Sequence, residues 1–367
     1  MKFEKLGRAA ALAAIATLAL TSCAANEGGT PTDSASPSDA GSALSGELVG
    51  IGASSQGAAQ DAWMAGFQTA NEGVTINYDP QGSGTGRKAF FAGGAAFAGS
   101  DSALSDEELA GSFGSCAADS KAIDLPVYIS PIAVVYNIDG VDELNLDAAT
   151  IAQIFSGKIT NWNDPAIAAL NAEQSLPDQT ITAVHRSDAS GTTKNFADYL
   201  NTVAPEDWAE KPSDDFPFTG GEGAQGTSGV VSAVSGGTGT IGYVDASRAG
   251  DLGVAKIKVG DEFVAYTAEA AAEVVAGSPL VEGRDANDLA IKLDRSTTDP
   301  THYPLVLVSY AIACQEYKDP AQAELAKAYL GYMASSEGQK VAAEEAGSAP
   351  LSSELSAKVA TAIDSIK

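Results

Sequence analysis

This sequence predicts an α/β chain with largely parallel sheets, on three observations. Apolar runs of strand length recur, stretches with helical spacing lie between them, and Gly- and Ser-rich loops mark the junctions. Glu47–Ile51 is the first strand; Ala58, Ala62, Trp63 and Phe67 then follow helical spacing, and Val74–Tyr78 is a strand again. Later strands are predicted at Tyr128–Asn137, Ile181–His185, Gly239–Val244 and Leu305–Cys314. Helices are predicted at Ala148–Phe155, with Asp147 as cap and Gly157 as stop, at Thr193–Leu200 and at Ala321–Ala334. The sequence shows no internal repeat.

With 367 residues, 44% of them hydrophobic, the chain can bury one large core or two modest ones. Its 21 Lys and Arg stand against 48 Asp and Glu, a formal net charge of −27. Such a surface repels nucleic acid, so no polynucleotide partner is expected. It also repels small anions at long range, so an anion site here must win locally, through donors aimed at one point. Only three Cys among 38 Gly exclude a disulfide-dense scaffold.

The first residues predict export. Lys2, Lys5 and Arg8 precede an apolar run, Ala9–Leu20, of 12 residues. That is short of the roughly 20 residues that cross a bilayer, and it fits the core of a signal peptide over residues 1–22. Leu20-Thr21-Ser22-Cys23 resembles the lipobox of bacterial lipoproteins, which implies that Cys23 carries a lipid and starts the mature chain. Residues 24–44 are, but for Glu27 and Leu44, Ala, Gly, Ser, Thr, Pro, Asn and Asp with almost nothing to bury, a flexible leash behind that anchor. The chain is therefore expected on the extracytoplasmic face of the cell membrane, touching it through the lipid alone.

Three segments share one design, a strand end, a loop of small polar residues and a helix start. They are Gly50–Ser55, Gly82–Gly86 and Arg186–Thr192. Helix N-termini offer unpaired N–H groups and partial positive charge, so a tetrahedral anion can bind there without a metal. Each loop alone is weak, because Ser54, Ser83 or Ser190 caps a helix as readily as it binds a ligand. Gly82-Ser83-Gly84-Thr85-Gly86 lacks both the Gly-Lys-Ser/Thr ending of a P-loop and the spacing of a dinucleotide fingerprint.

The third loop carries more. Arg186 and Asp188 lie two apart, so the carboxylate can steady a guanidinium whose planar fork suits an oxyanion, beside the donors of Ser190, Gly191 and Thr192. The alternative is an ordinary surface ion pair. Asp101 follows a short apolar strand in Phe97-Ala98-Gly99-Ser100-Asp101. An ionised carboxylate only accepts hydrogen bonds, so in an anion site it selects a ligand that still carries a proton, as phosphate does at neutral pH and sulfate does not. The alternative is a cap for a helix starting near Ser105, or a merely exposed carboxylate.

These loops, in this order and with Asp101 between the second and third, resemble the PstS family of phosphate-binding proteins. The likeness extends to Ile151–Asp164, to Ile241-Gly242-Tyr243-Val244 and to Tyr303-Pro304-Leu305, and covers roughly residues 46–351. The resemblance implies the two-lobed type II periplasmic-binding-protein fold with two strands as hinge. It implies a first lobe of residues 45–128 with 306–367 and a second of 129–305. Phosphate contacts would then come from the Ser54 hydroxyl, the Ser55 backbone N–H, Ser83, Asp101, Arg186, Ser190, Gly191 and Thr192, with Asp188 supporting Arg186. The partners implied are inorganic phosphate and the membrane subunits of an ABC-type permease, with the protein itself a monomer. The sequence departs from the family in having Ser54-Ser55-Gln56 where Thr-Phe-Pro is usual, and Gly84-Thr85 where Ser-Gly is frequent.

Cys116 and Cys314 both fall in the implied first lobe, and in an exported protein they are expected to form a disulfide. His185 and His302 stand without metal-ligand spacing, so neither a metal nor a cofactor is expected. An exported phosphatase or Ser hydrolase using Ser54 or Ser190 would need a Gly-x-Ser-x-Gly elbow and a His partner that the sequence does not offer, so no catalytic residue is expected. A binding protein for sulfate or molybdate is the nearer alternative, and Asp101 argues against it.

Overall fold

The structure, a computed structural model, describes residues 44–367. Cys23, the leader over 1–22 and nearly all of the leash lie outside the described residues.

Three parallel strands open the fold. The first is β1 (Gly46–Gly52), flanked by β2 (Val74–Asp79) and β3 (Phe97–Ser100). A 3-10 turn at Ser54–Gln56 runs into α1 (Gly57–Ala70), which buries Ala59, Gln60, Trp63 and Phe67 on one face. α2 (Ser83–Ala92) links β2 to β3, and α3 (Asp106–Leu109) follows β3. β4 (Ala122–Asn137) is buried along all but its last residue. Next come β5 (Asn145–Leu146), α4 (Ala148–Phe155), α5 (Pro165–Leu170), β6 (Thr182–Arg186) and α6 (Gly191–Val203). They are followed by β7 (Glu222–Ala224), α7 (Gly226–Gly236), β8 (Thr240–Asp245), β9 (Gly253–Val254), β10 (Lys256–Val259), β11 (Glu262–Val264) and α8 (Ala268–Ala276). β12 (Val306–Cys314), α9 (Pro320–Ala334), α10 (Ser336–Ala346) and α11 (Ser353–Asp364) close the chain.

The main sheet runs β2-β1-β3-β12-β4-β8-β6-β7, with β9 also on β4. Its two wings are parallel, but the centre is not: β12 pairs antiparallel with β3 and β4, and β4 antiparallel with β8. The expectation of largely parallel sheets is corrected here. A fully buried apolar strand looks the same in either direction, and nothing in the β4 or β12 sequence shows that they run against the wings. β4 serves both wings. Residues 122–131 pair with β12, and 132–137 pair with β8. A second, small sheet is formed by β11-β10-β5.

Ala148–Phe155 is helical over the predicted residues. Asp147 accepts the Thr150 N–H at its start, and Gly157 at φ 77° follows its end. The predicted strands and the other two helices are present with ends shifted by a few residues, and β4 starts six residues earlier than Tyr128. Cys116 and Cys314 are joined in a disulfide with Cα atoms 5.2 Å apart. Among the described residues no helix is long and apolar enough to cross a membrane.

Candidate anion-binding site

The three Gly/Ser loops meet where the ends of β1, β2, β3 and β6 face one another. Gly82 at φ 95° precedes α2, a backbone conformation that L side chains resist. It lies against the Arg186–Asp188 pair, and the Gly84 N–H donates to the Ala189 carbonyl at 3.0 Å. Gly191 packs so closely on the first wing that an added Cβ would lie 2.7 Å from Asp101 Cβ and 2.7 Å from Ser83 Oγ.

Asp101 sits at the centre, 4% exposed. Ser55 donates to its Oδ1 at 2.5 Å, Ser309 to the same oxygen at 2.6 Å, and Thr192 to Oδ2 at 2.9 Å. Its backbone N–H donates to Ser83 Oγ at 3.1 Å. Burial pushes its carboxyl above the usual range, while the bonds from Ser309, Ser55 and Thr192 and the charge of Arg186 oppose that. Asp101 caps nothing. Ser105 caps α3 in a reciprocal box with Glu108.

Arg186 ends β6 and is 3% exposed, so the pair with Asp188 is no surface ion pair. Nε donates to Asp188 Oδ1 at 2.7 Å and Nη2 to Oδ2 at 2.5 Å, which leaves Nη1 outside the fork. Asp188 also accepts the Gly226 N–H at 2.9 Å. Burial raises the Asp188 carboxyl, but the hydrogen bonds and charge of Arg186 outweigh it and hold it below the ordinary value. This is a guanidinium locked in orientation by a carboxylate that stays charged.

Two expected ligand groups are engaged otherwise. Ser190 caps α6, accepting the Thr193 N–H at 3.3 Å, and its own N–H donates to the Asp214 carbonyl at 2.9 Å. The Ser54 hydroxyl turns to the start of α7, 3.0 Å from Thr227 Oγ1, and accepts the Thr227 N–H at 3.1 Å. Ser55, Ser83, Asp101, Gly191 and Thr192 are thus brought together beside Arg186, while Ser54 and Ser190 are bonded to Thr227, Thr193 and Asp214.

Sequence reasoning missed several partners. Asn195 donates to the Asp101 carbonyl at 2.8 Å and is itself held by Arg295, whose Nη2 donates to Asn195 Oδ1 at 2.5 Å. Ser309 and Gln56 were missed too. The only signal for Ser309 was a polar residue inside an otherwise apolar run, and for Gln56 its place in a loop that departs from the family's Thr-Phe-Pro. A cleft of about 710 Å³ reaches the site through Asp101 and its supports Asn195 and Arg295, and its walls include none of Arg186, Ser54 and Ser83. Its size therefore says nothing of the chemistry, which lies where the lobes are already packed together.

The family model of a PBP superfamily domain matches residues 37–337. Phosphate-binding protein PstS3 of Mycobacterium bovis is 35% identical over 377 residues, covering all of both chains. Phosphate-binding protein PstS 2 of Mycobacterium tuberculosis is 36% identical over 378 residues, again covering both chains. The chain belongs to the PstS family. A PstS protein of Xylella fastidiosa is 31% identical over 79% of this chain and 78% of its own. Among solved structures, a high affinity periplasmic phosphate-binding protein bound with phosphate superposes with a TM-score of 0.69 at 22% identity, over 86% of this chain and 93% of that one. A phosphate-binding protein from Stenotrophomonas maltophilia gives 0.62 at 20% identity, over 86% and 94%. At that identity the likeness establishes the two-lobed fold of this PstS chain and nothing finer.

Proposed function

We propose that this protein captures inorganic phosphate outside the cytoplasmic membrane and delivers it to the membrane subunits of an ABC-type permease, as a binding protein and not an enzyme. One observation carries the reading: Asp101, a buried carboxylate supplied with three hydroxyl donors, faces a buried guanidinium that Asp188 keeps oriented. A charged acceptor beside a charged donor suits an oxyanion that still carries a proton. The relatives' names agree with this chemistry.

In this reading residues 45–128 and 306–367 form one lobe and 129–305 the other, hinged where β4 and the start of β12 pass between them. Ser55 and Ser83 come from the first lobe; Arg186, Ser190, Gly191 and Thr192 from the second. Phosphate would draw on the hydroxyls and N–H groups that now bridge the lobes, and its extra affinity for the closed form drives closure. The Ser54 hydroxyl joins them by turning from Thr227. The chain acts as a monomer, tethered by a lipid on Cys23 once residues 1–22 are removed.

The test is calorimetric titration of the purified protein, stripped of bound anions, with phosphate, sulfate and molybdate at neutral pH. One-to-one phosphate binding without a sulfate or molybdate response is the expected result. Sulfate or molybdate binding in its place would overturn the ligand, and hydrolysis of phosphate esters would restore the phosphatase reading.

A further inference from the structure

Asp101 is wired into a buried polar chain that none of the anion loops contains. Ser309 Oγ donates to Asp101 Oδ1, and Gln56 Nε2 donates to Ser309 Oγ at 2.7 Å. Gln60 Nε2 donates to Gln56 Oε1 at 2.8 Å, and the Tyr329 hydroxyl donates to Gln60 Oε1 at 2.8 Å. Gln56, Gln60, Ser309 and Tyr329 are each fully buried.

The polarity of this chain is fixed by one backbone atom. Gln56 Nε2 also lies 3.1 Å from the Tyr310 carbonyl, which can only accept. The amide nitrogen must therefore point at Ser309 and its oxygen at Gln60. Ser309 Oγ, already accepting from Gln56, has its own proton to give, and Asp101 is where it goes. A register shift between Ser309 and Tyr310 in the β12–β4 pairing aims that hydroxyl at the site, the usual use of such an irregularity. Gly99 leaves room for the Tyr78 hydroxyl and for this amide: a Cβ there would lie 2.0 Å from Tyr78 Oη and 3.2 Å from Gln56 Oε1. Gln56 stands where the resembled family usually has Pro, which has no side-chain amide.

We propose that Tyr329, Gln60, Gln56 and Ser309 form a positioning relay that holds Asp101 as an obligate hydrogen-bond acceptor and so sets the site's preference for a protonated oxyanion. The proposal rests on the phosphate reading above. Ser309 gives its proton to Asp101, so it acts through Asp101. Removing its hydroxyl withdraws a donor that favours the charged carboxylate, so Asp101 would take up its proton at higher pH. A protonated Asp101 donates, and it would then admit sulfate. The groups facing Asp101 are Arg186 at the end of β6, Tyr78 on β2 and Asp245 at the end of β8, with Lys194, Asp198 and Arg295 lining the cleft it touches. None of them changes in the variants below.

The experiment compares the wild type with Ser309→Ala and Gln56→Leu. Phosphate and sulfate affinities are measured between about pH 4.5 and pH 8, and the Asp101 carboxyl carbon is titrated by NMR in the ligand-free proteins, assigned with Asp101→Asn. In Ser309→Ala the onset of sulfate binding should move up by about one pH unit, and the phosphate-to-sulfate affinity ratio near pH 5.5 should fall about tenfold, as loss of one charge-assisted hydrogen bond implies. Gln56→Leu should move both in the same direction by less. A merely structural role would lower the melting temperature and leave both pH profiles in place. Unchanged Asp101 titration in both variants overturns the relay, whatever the protein binds. A titration shifted in the variants, together with a wild type that binds no phosphate, sustains the relay and sinks the ligand reading.

Discussion

Arg87 Nη2 donates to Asp214 Oδ2 at 2.5 Å, joining the helix after the second anion loop to a segment from the opposite wing. The other Asp214 oxygen accepts from Ser102 at 2.9 Å, and the Asp214 carbonyl accepts the Ser190 N–H at 2.9 Å. Burial raises the Asp214 carboxyl, but Arg87 outweighs it and keeps it below the ordinary value. One residue thereby ties the cap of α6 to Arg87 and to the residue after Asp101.

Such a clasp exists only when the lobes are together, so it should govern release more than capture. Arg87→Met is expected to speed phosphate dissociation about tenfold to a hundredfold, within the penalty of about 3–5 kcal/mol for unpairing a buried charge, discounted because the two side chains are 11% and 13% exposed. The association rate should stay within about threefold. Stopped-flow displacement reads both rates, and equal dissociation rates would mean that the pair contributes nothing to the closed state.

Asp245 makes a pH prediction. It is fully buried at the end of β8, with Oδ1 accepting from Tyr128 and Ser247 and Oδ2 without a hydrogen-bond partner. Burial pushes its carboxyl from 3.8 up to about 6, with the bonds from Ser247 offsetting only part. The folded state thus holds this proton more tightly than the unfolded chain. The stability it contributes is full below about pH 4 and is lost as pH rises through about 6. Asp245→Asn should therefore stabilise the protein at pH 7.5 by about 1–3 kcal/mol, with the difference vanishing near pH 4. Denaturant unfolding at the two pH values checks it; a constant difference would show that charge is not the cause.

Periodicity made the elements legible where one face is buried and the ends are punctuated. Ala148–Phe155, between Asp147 and Gly157, is the clearest case. α2 was legible only as a helix start, because Ser83-Gly84-Thr85-Gly86 has poor helix propensity and is there for close approach: a Cβ on Gly86 would lie 2.5 Å from Gly52 Cα. α7, α8, α10 and α11 were not assigned; α7 mixes Gly, Ser and Val, and α8, α10 and α11 are rich in Ala, which marks neither a buried nor an exposed face. The site was legible as loops, since Ser55, Ser83, Asp101, Arg186, Gly191 and Thr192 lie in short motifs. Its supports were not. Ser309 is separated from Asp101 by 208 positions, and Asp214 from Arg87 by 127, and only the folded sheet relates them.

The Cys116–Cys314 disulfide spans 198 residues and ties the segment after α3 to the last residue of β12. Replacing both by Ala should cost about 2–5 kcal/mol of stability, as loss of a long-range cross-link does. Cys314 lies five residues, about 16 Å, along β12 from Ser309. Phosphate affinity should therefore stay within about threefold. Paired calorimetric melts and titrations separate the two effects; a large loss of affinity would place the bond in the site's own support.

Gly191 tests whether closure itself makes the site. It begins α6 with no side chain, between Asp101 Cβ and Ser83 Oγ, each 2.7 Å from where a Cβ would sit. Its φ is not in the left-handed region, so Gly191→Ala meets no backbone strain, and at the first position of the helix alanine is tolerated at least as well as glycine. In the described structure the methyl group forces Asp101 aside, and if capture is what brings the lobes together it does so only on closure. The ligand-free variant should melt no lower than the wild type, while its phosphate affinity falls about a hundredfold. At phosphate one hundred times the wild-type Kd, the wild type gains about 2.7 kcal/mol and the variant about 0.4. Thermal melts with and without phosphate distinguish these. A variant that melts lower without phosphate yet gains as much from it would show that the Gly191 contact belongs to the resting structure and not to capture.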